Sequence, residues 1–338
     1  MPEGHTVHRL ARALGGLFGG ETLAVSSPQG RFAGGAALLD GHRMLAAEAW
    51  GKQLFCAFAP DLSDAPTGSD GGSDRSGDVR WLRVHLGLYG AWTFAGDGSA
   101  DVVHAIGAPR RRIGERESTP DDGGDPAVDA GLDAAGQWEP PAPRGAVRLR
   151  LLGAHAVADL TGPTACEVLT GAEKAAVEAR LGPDPIRDGG DAARTAFVER
   201  VRRSRVTVGQ QLMDQAVIAG VGNIYRAEAL FRAGVDPLRP GRDVPEAALA
   251  GIWDDLVVLM RDGAERGAIV TTRPEHRVAD GGGRVTRQNT DGDADAVPRD
   301  ASFYVYHRDG LPCRVCGAPV LTKELAGRNL FWCGVCQA

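Results

Sequence analysis

The chain opens with Met1-Pro2-Glu3. Once the initiator Met is removed, Pro2 presents a secondary amine. Such an amine attacks an aldehyde-like carbon and forms a charged iminium, much as Lys forms a Schiff base. Glu3, one residue on, offers a carboxylate for the accompanying proton transfers. The opposite end carries a second constellation: Cys313 and Cys316, then sixteen residues, then Cys333 and Cys336. C-x2-C-x16-C-x2-C is within the spacing of a four-cysteine zinc site, where each pair brings two thiolates to one tetrahedral ion. A redox pair or incidental cysteines are the competing explanations. The intervening Pro319 to Trp332 has the length of a β-hairpin. A module of about 35 residues buries little core, so one structural Zn2+ would hold it together. Cys56 and Cys166 have no partner motif and read as buried small apolar residues.

A third group lies between them, in the stretch from Gln211 to Tyr225. Gly220 and Gly222 let the backbone approach a ligand, and Asn223 stands where it would cap the helix that follows. A helix N-terminus, with its N–H groups and positive dipole end, attracts an anion such as a DNA phosphate. That contact would fix position without reading sequence. A tight interhelical turn with a plain Asn cap is the alternative.

The elements that must position these groups follow from composition and periodicity. At 338 residues and 43% hydrophobic content the chain has room for two or three domains with sizeable cores. It lacks an apolar run of the roughly 18 residues needed to cross a membrane. It also lacks a basic region followed by an apolar stretch, so no signal peptide is expected. A soluble, cytoplasmic protein without a membrane partner is the expectation. The net charge of −6 argues at first against a nucleic-acid partner. The acidity is local, however. Residues 60–78 carry five Asp against one Arg, and residues 115–145 carry eight acids against two Arg, which leaves the remainder net positive. Both segments, and the Gly- and Asp-rich 279–300, read as disordered.

Short apolar runs bounded by turn residues predict strands at Thr22–Ser26, Gly51–Ala59, Val79–His85, Ala91–Phe94, Val147–Leu152 and His155–Leu160. Helical spacing covers His5–Leu17, Ala192–Ser204, Val208–Gln215, Ile224–Ala233 and Pro245–Gly263. The fold class is therefore multi-domain α+β: an antiparallel β-sandwich with a flanking helix over 1–170, a helical domain over 171–275, a linker over 276–301 and a zinc β-hairpin over 302–338.

In combination these pieces resemble the formamidopyrimidine-DNA glycosylase and endonuclease VIII family of bifunctional DNA glycosylases. The resemblance is carried by Pro2-Glu3-Gly4, Gly51-Lys52, His85-Leu86-Gly87-Leu88-Tyr89-Gly90, Leu212-Met213-Asp214-Gln215 through Gly222-Asn223, Tyr306-His307-Arg308-Asp309-Gly310, the four cysteines with Arg328, and Cys336-Gln337. It leans towards the endonuclease VIII branch through Leu88-Tyr89-Gly90 and Phe331-Trp332-Cys333.

The resemblance implies a β-sandwich, a helix-two-turn-helix domain and a zinc hairpin, with damaged double-stranded DNA in the cleft between the two halves. It implies an extruded nucleotide whose C1′ is attacked by Pro2. Glu3 matches the general acid of base excision, although a carboxylate near a helix N-terminus is also favoured by the dipole. Lys52 matches the proton donor of β-elimination. Arg328 matches the arginine assigned to phosphate contact and δ-elimination. Its role would be electrostatic, because a guanidinium is a poor proton donor. Asn223, with Gly222, and Arg180, before Leu181-Gly182-Pro183-Asp184, match DNA contacts. Leu88 and Tyr89 match side chains inserted into the gap left by the extruded base, offsetting part of the unstacking cost; packing at a strand end is the alternative for these two.

Two departures stand out. Thr6 replaces a carboxylate many members carry. No arginine occurs near Gly162-Pro163-Thr164, where the formamidopyrimidine branch has an intercalating one. The segment 271–300 is long enough for a base-capping loop. The expected activity is excision of oxidised bases, pyrimidines favoured, with abasic-site lyase cleavage by β,δ-elimination in a monomer without an organic cofactor. Oxidised purines as substrates and a non-catalytic DNA-binding zinc protein are the alternatives.

Overall fold

The computed structural model describes residues 2–60, 79–99, 105–107, 138–277 and 297–338. Most of the segments expected to be disordered, and Met1, lie outside the described residues. The chain forms two compact units: Met1–Pro2 with Arg9–Glu178, and Glu3–His8 with Ala179–Ala338.

The first unit holds an antiparallel sheet. Its strands are β1 (Thr22–Ser26), β2 (His42–Trp50), β3 (Gln53–Pro60), β4 (Arg80–His85), β5 (Ala91–Gly96), β6 (Ala105–Gly107), β7 (Val147–Leu152), β8 (Ala156–Thr161) and β9 (Ala165–Leu169). Their order is β6-β5-β8-β7-β1-β2-β3-β4-β9. β1 divides its pairing: Thr22 and Leu23 face β2, whereas Ala24 to Ser26 face β7. One strand thus joins two sheet layers. β7 alternates Val147, Leu149 and Leu151 inward with arginines between, the period-2 pattern of a half-buried strand. Helix α1 (Gly4–Phe18) is divided, Gly4 to His8 falling in the second unit and Arg9 to Phe18 in the first, and it buries Val7, Leu10, Ala11, Leu14 and Phe18 at helical spacing.

Five elements were not expected: β2, β6, β9, the short helix α2 (Ala33–Ala37) and helix α3 (Gly171–Glu178). β2 contains Ala46, Ala47 and Ala49, weak strand formers. It is a strand because β3 pairs with it along its length, with a bulge between Met44 and Ala46. The first unit also extends beyond residue 170. Helix α3 (Gly171–Glu178) belongs to it. Lys174 is the reason: its Nζ pairs with Glu48 at 2.6 Å and lies 4.4 Å from the Trp81 ring centroid.

The second unit contains α4 (Asp191–Arg202), α5 (Val208–Gln211), α6 (Asn223–Arg232), α7 (Glu246–Arg266) and the hairpin β10 (Val320–Leu325) and β11 (Arg328–Cys333). Phe197, Leu212, Tyr225, Leu230, Trp253, Leu256 and Met260 form its core. Gly267, at φ 73°, ends α7 with its N–H on the Gly263 carbonyl. The helix expected over Val208–Gln215 stops at Gln211. The Gln215 side chain instead staples the following turns, donating to the Val221 carbonyl at 3.0 Å and accepting from the Gly220 N–H at 2.9 Å.

The hairpin does not stand alone. Ala227 and Phe231 of α6 share a core with Tyr304, Val305, Val320, Phe331 and Cys333. Buried Glu228 of α6 accepts the N–H groups of Tyr304, Val305 and Tyr306 at 2.8 to 2.9 Å. One carboxylate therefore fixes the segment that leads into the hairpin.

Candidate active site

Glu3 is fully buried, and its carboxylate sits on the N-terminus of α6. Its Oε2 accepts the Gly222 N–H at 2.9 Å and the Tyr225 N–H at 3.4 Å, and its Oε1 accepts the Ile224 N–H at 2.8 Å. The next residue, Gly4, donates its N–H to the Gly220 carbonyl at 2.8 Å. A Cβ on Gly222 would lie 2.4 Å from the Glu3 carboxyl carbon, so the glycine is required by Glu3 itself. This corrects two expectations. The anion at this helix N-terminus is the chain's own Glu3 carboxylate, which takes the N–H groups proposed for a phosphate. Asn223 does not cap the helix either: Gly222 is the N-cap residue, without a side-chain cap.

The Asn223 side chain is directed elsewhere. Its Nδ2 donates to the Asn329 carbonyl of β11 at 3.0 Å, and its Oδ1 accepts from Arg226. Arg226 and Tyr306 complete a polar cluster with Glu3, Asn223 and Arg328. Burial pulls the Arg226 guanidinium down to about 10, with the Glu3 charge opposing and the Arg328 charge adding to that fall. Burial raises the Tyr306 phenol, and the Glu3 charge raises it further, while Arg299, Arg328 and a hydrogen bond with Asn223 act against this. Sequence reasoning missed Arg226. Its signal was its position on the same helix face as Asn223, three residues on.

Arg328 is half-buried at the first position of β11, directly after the turn Ala326-Gly327. Both turn residues have positive φ, 52° and 72°, the geometry of a two-residue hairpin turn matched to strand twist. The cysteines lie at the other end of the hairpin. All four Sγ atoms are within 4.8 Å of one another, with Cys313 to Cys336 at 3.9 Å and Cys316 to Cys333 at 3.5 Å. Tetrahedral Zn–S bonds of about 2.3 Å place sulfurs about 3.8 Å apart, so the donor set fits one such metal ion. The Val315 N–H reaches Cys313 Sγ and the Cys336 N–H reaches Cys333 Sγ, each at 3.5 Å, partnering sulfurs that would carry charge as thiolates.

In the first unit, Lys52 is half-buried in the two-residue turn between β2 and β3, where Gly51 has φ 58°. Across the sheet from Gln53 stands His85, at the end of β4. Its Nδ1 accepts the Gly87 N–H at 3.1 Å. Burial, then the charges of Lys52 and Arg83, lowers its affinity for a proton. Leu88 and Tyr89 follow on a turn closed by the Gly90 N–H on the Leu86 carbonyl. Tyr89 is 57% exposed, which speaks against packing at the strand end. Gly87, at φ 67°, packs so tightly on Thr164 that a Cβ would lie 1.8 Å from Thr164 Oγ1. The loop Gly162-Pro163-Thr164 thus braces this turn with a threonine. Arg180 is exposed after α3. Pro2 is buried and directly precedes Glu3.

The architecture is that of an Fpg-like DNA glycosylase. The Lactococcus lactis Fpg in complex with an abasic site containing DNA superposes with a TM-score of 0.64 at 18% identity, covering 99% of both chains. MutM in complex with carbocyclic 8-oxo-G containing DNA gives 0.65 at the same identity and coverage. Residues 181–274 match the formamidopyrimidine-DNA glycosylase H2TH domain, and residues 310–338 match the zinc finger found in FPG and IleRS. Endonuclease 8 1 of Mycobacterium tuberculosis is 42% identical over 337 residues, 100% of each chain. The formamidopyrimidine-DNA glycosylase of Thermus thermophilus is 35% identical over 160 residues, 47% of this chain and 54% of that one. The chain belongs to the formamidopyrimidine-DNA glycosylase and endonuclease VIII family, base-excision DNA glycosylases with abasic-site lyase activity.

Proposed function

We propose that this chain removes oxidised bases, pyrimidines in preference, from double-stranded DNA and then cleaves the strand. The observation that carries the reading is the buried Glu3 carboxylate, fixed by three main-chain N–H groups of the α6 N-terminus directly after Pro2. That arrangement holds the carboxylate that follows Pro2 in sequence in a single orientation.

In this mechanism the Pro2 amine forms a bond to C1′ of an extruded nucleotide. The N-glycosidic bond breaks and the base leaves with its electron pair and a proton, which Glu3 serves. Ring opening of the sugar gives an iminium, which acidifies the C2′ hydrogens. Loss of a C2′ proton expels the 3′ phosphate, and a second elimination expels the 5′ phosphate. Lys52 handles protons in the first elimination. Arg328 and the Asn223 side chain hold phosphates, Arg180 makes a further DNA contact, and Leu88 with Tyr89 fills the vacated stack. The ion held by Cys313, Cys316, Cys333 and Cys336 is zinc, in a purely structural role. Functional segments are the sheet domain, the helical domain and the zinc hairpin, acting as a monomer without an organic cofactor, on DNA in the cytoplasm.

The pyrimidine preference is supported by the full-length likeness to an endonuclease 8. Cleavage of thymine-glycol and 8-oxoguanine duplexes under single-turnover conditions tests it. Faster release of thymine glycol is expected, and equal or reversed rates would reject the choice. No helix among the described residues is long and apolar enough to cross a membrane.

A further inference from the structure

Arg226 is 0% exposed, and its hydrogen bonds go to uncharged acceptors, while the Glu3 carboxylate acts on it through its charge. Burying a guanidinium is costly, and such groups persist where the surroundings require them. Its donors are spent on three elements of the second unit. Nη2 serves the Asn223 Oδ1 at the start of α6 and the Asn329 carbonyl of β11 at 3.1 Å, and Nη1 reaches the Gly209 carbonyl of α5 at 3.5 Å. Its Nε–H has no partner among the described residues. A packing role would be served by an apolar side chain of similar volume. A fork of fixed geometry is needed only if the acceptors must keep a fixed spacing.

Two of those acceptors belong to, or adjoin, groups assigned to phosphate contact. Asn223 is one such group, and Asn329 follows Arg328 directly. We propose that Arg226 is a positioning residue that sets the spacing between Asn223 and Arg328, and so governs the strand-cleaving eliminations rather than formation of the iminium. The inference rests on the Pro2 reading given above. Arg226 touches neither substrate nor reacting atoms. It acts through the hairpin strand and the first turn of α6, and both phosphate-directed groups lose their mutual register when the fork is removed. A lysine cannot replace it, because one ammonium cannot span an amide oxygen and two carbonyls on three elements.

The test uses the full chain, zinc-loaded and with Met1 removed, as the native protein and as Arg226→Lys, Arg226→Met and Asn223→Ala variants. Each is reacted with one abasic-site duplex. Borohydride trapping reads iminium formation, gel electrophoresis reads the ratio of β- to δ-elimination products, and thermal melting with zinc content reads folding. Both Arg226 variants are expected to trap within about 3-fold of the native rate, while the δ product falls by about 10-fold or more, the scale of effect of a small misplacement. Asn223→Ala is expected to shift the ratio the same way, and combining it with Arg226→Lys to add less than the sum of the two. A native product ratio in a folded, zinc-loaded Arg226→Lys variant would overturn the proposal. So would a loss of trapping in parallel with cleavage. Should the methionine variant not fold, the lysine variant decides. Absence of trapping by the native protein would instead count against the Pro2 reading.

Discussion

At the scale of single residues, Glu3 has two duties that its sequence position did not separate. It neighbours the amine, and it holds the N-terminus of α6 through three N–H groups. Glu3→Gln keeps one acceptor oxygen and turns an NH2 towards donors, leaving buried N–H groups unsatisfied at a cost of about 1–3 kcal/mol. The variant is expected to melt earlier in calorimetry and to lose at least about 100-fold in base release, the usual scale for a general acid–base. Unchanged melting with lost activity would remove the structural duty. His85 gives a pH prediction. Its folded proton affinity is lowered from 6.5, foremost by burial and then by Lys52 and Arg83. As pH falls through 6.5 the unfolded chain takes a proton that folded His85 resists, so stability declines with acid there. His85→Gln should flatten that part of a urea-denaturation profile between about pH 7 and 5, relative to the native protein. An identical slope would show that His85 does not carry the effect.

At the scale of elements, the motifs were legible because their chemistry is local. The CxxC spacing forecasts four converging sulfurs, and Thr22–Ser26 and Val147–Leu152 alternate so plainly that their bounds coincide with β1 and β7. What was not legible depends on partners distant in sequence. β2 is a strand only beside β3, and α3 joins the sheet unit only through Lys174. The anion for α6 comes from a residue 219 positions earlier than Gly222, which no local pattern announces. Arg226 looked like an ordinary helix charge because its acceptors are uncharged: the Asn223 amide oxygen and two main-chain carbonyls. Gly87 belongs to the same scale. Gly87→Ala meets both a positive φ and the Thr164 hydroxyl, which costs about 2 kcal/mol or more. It displaces the turn that carries Leu88 and Tyr89. The expected result is a lower melting temperature and weaker binding to a duplex with an abasic site. The double variant Gly87→Ala with Thr164→Ala should recover part of the stability but not the part due to φ.

At the scale of the whole molecule, the hairpin shares its core with α6, and Glu228 fixes the segment that leads into it. Removing the metal therefore acts first on the second unit. Chelation is expected to weaken DNA binding before the sheet of the first unit unfolds, read as loss of duplex binding while the near-UV signal of the sheet tryptophans Trp50, Trp81 and Trp92 persists. Simultaneous loss of both would show one cooperative body instead. The central claim is that Pro2 is the nucleophile, and it requires Met1 to be absent. The most direct measurement is borohydride trapping on an abasic-site duplex followed by peptide mapping of the adduct, on chains with Met1 removed and with Met1 retained. The account predicts an adduct on Pro2 in the first preparation, and DNA binding without an adduct in the second. An adduct mapped to a lysine, or equal trapping by the Met1-bearing chain, would contradict it.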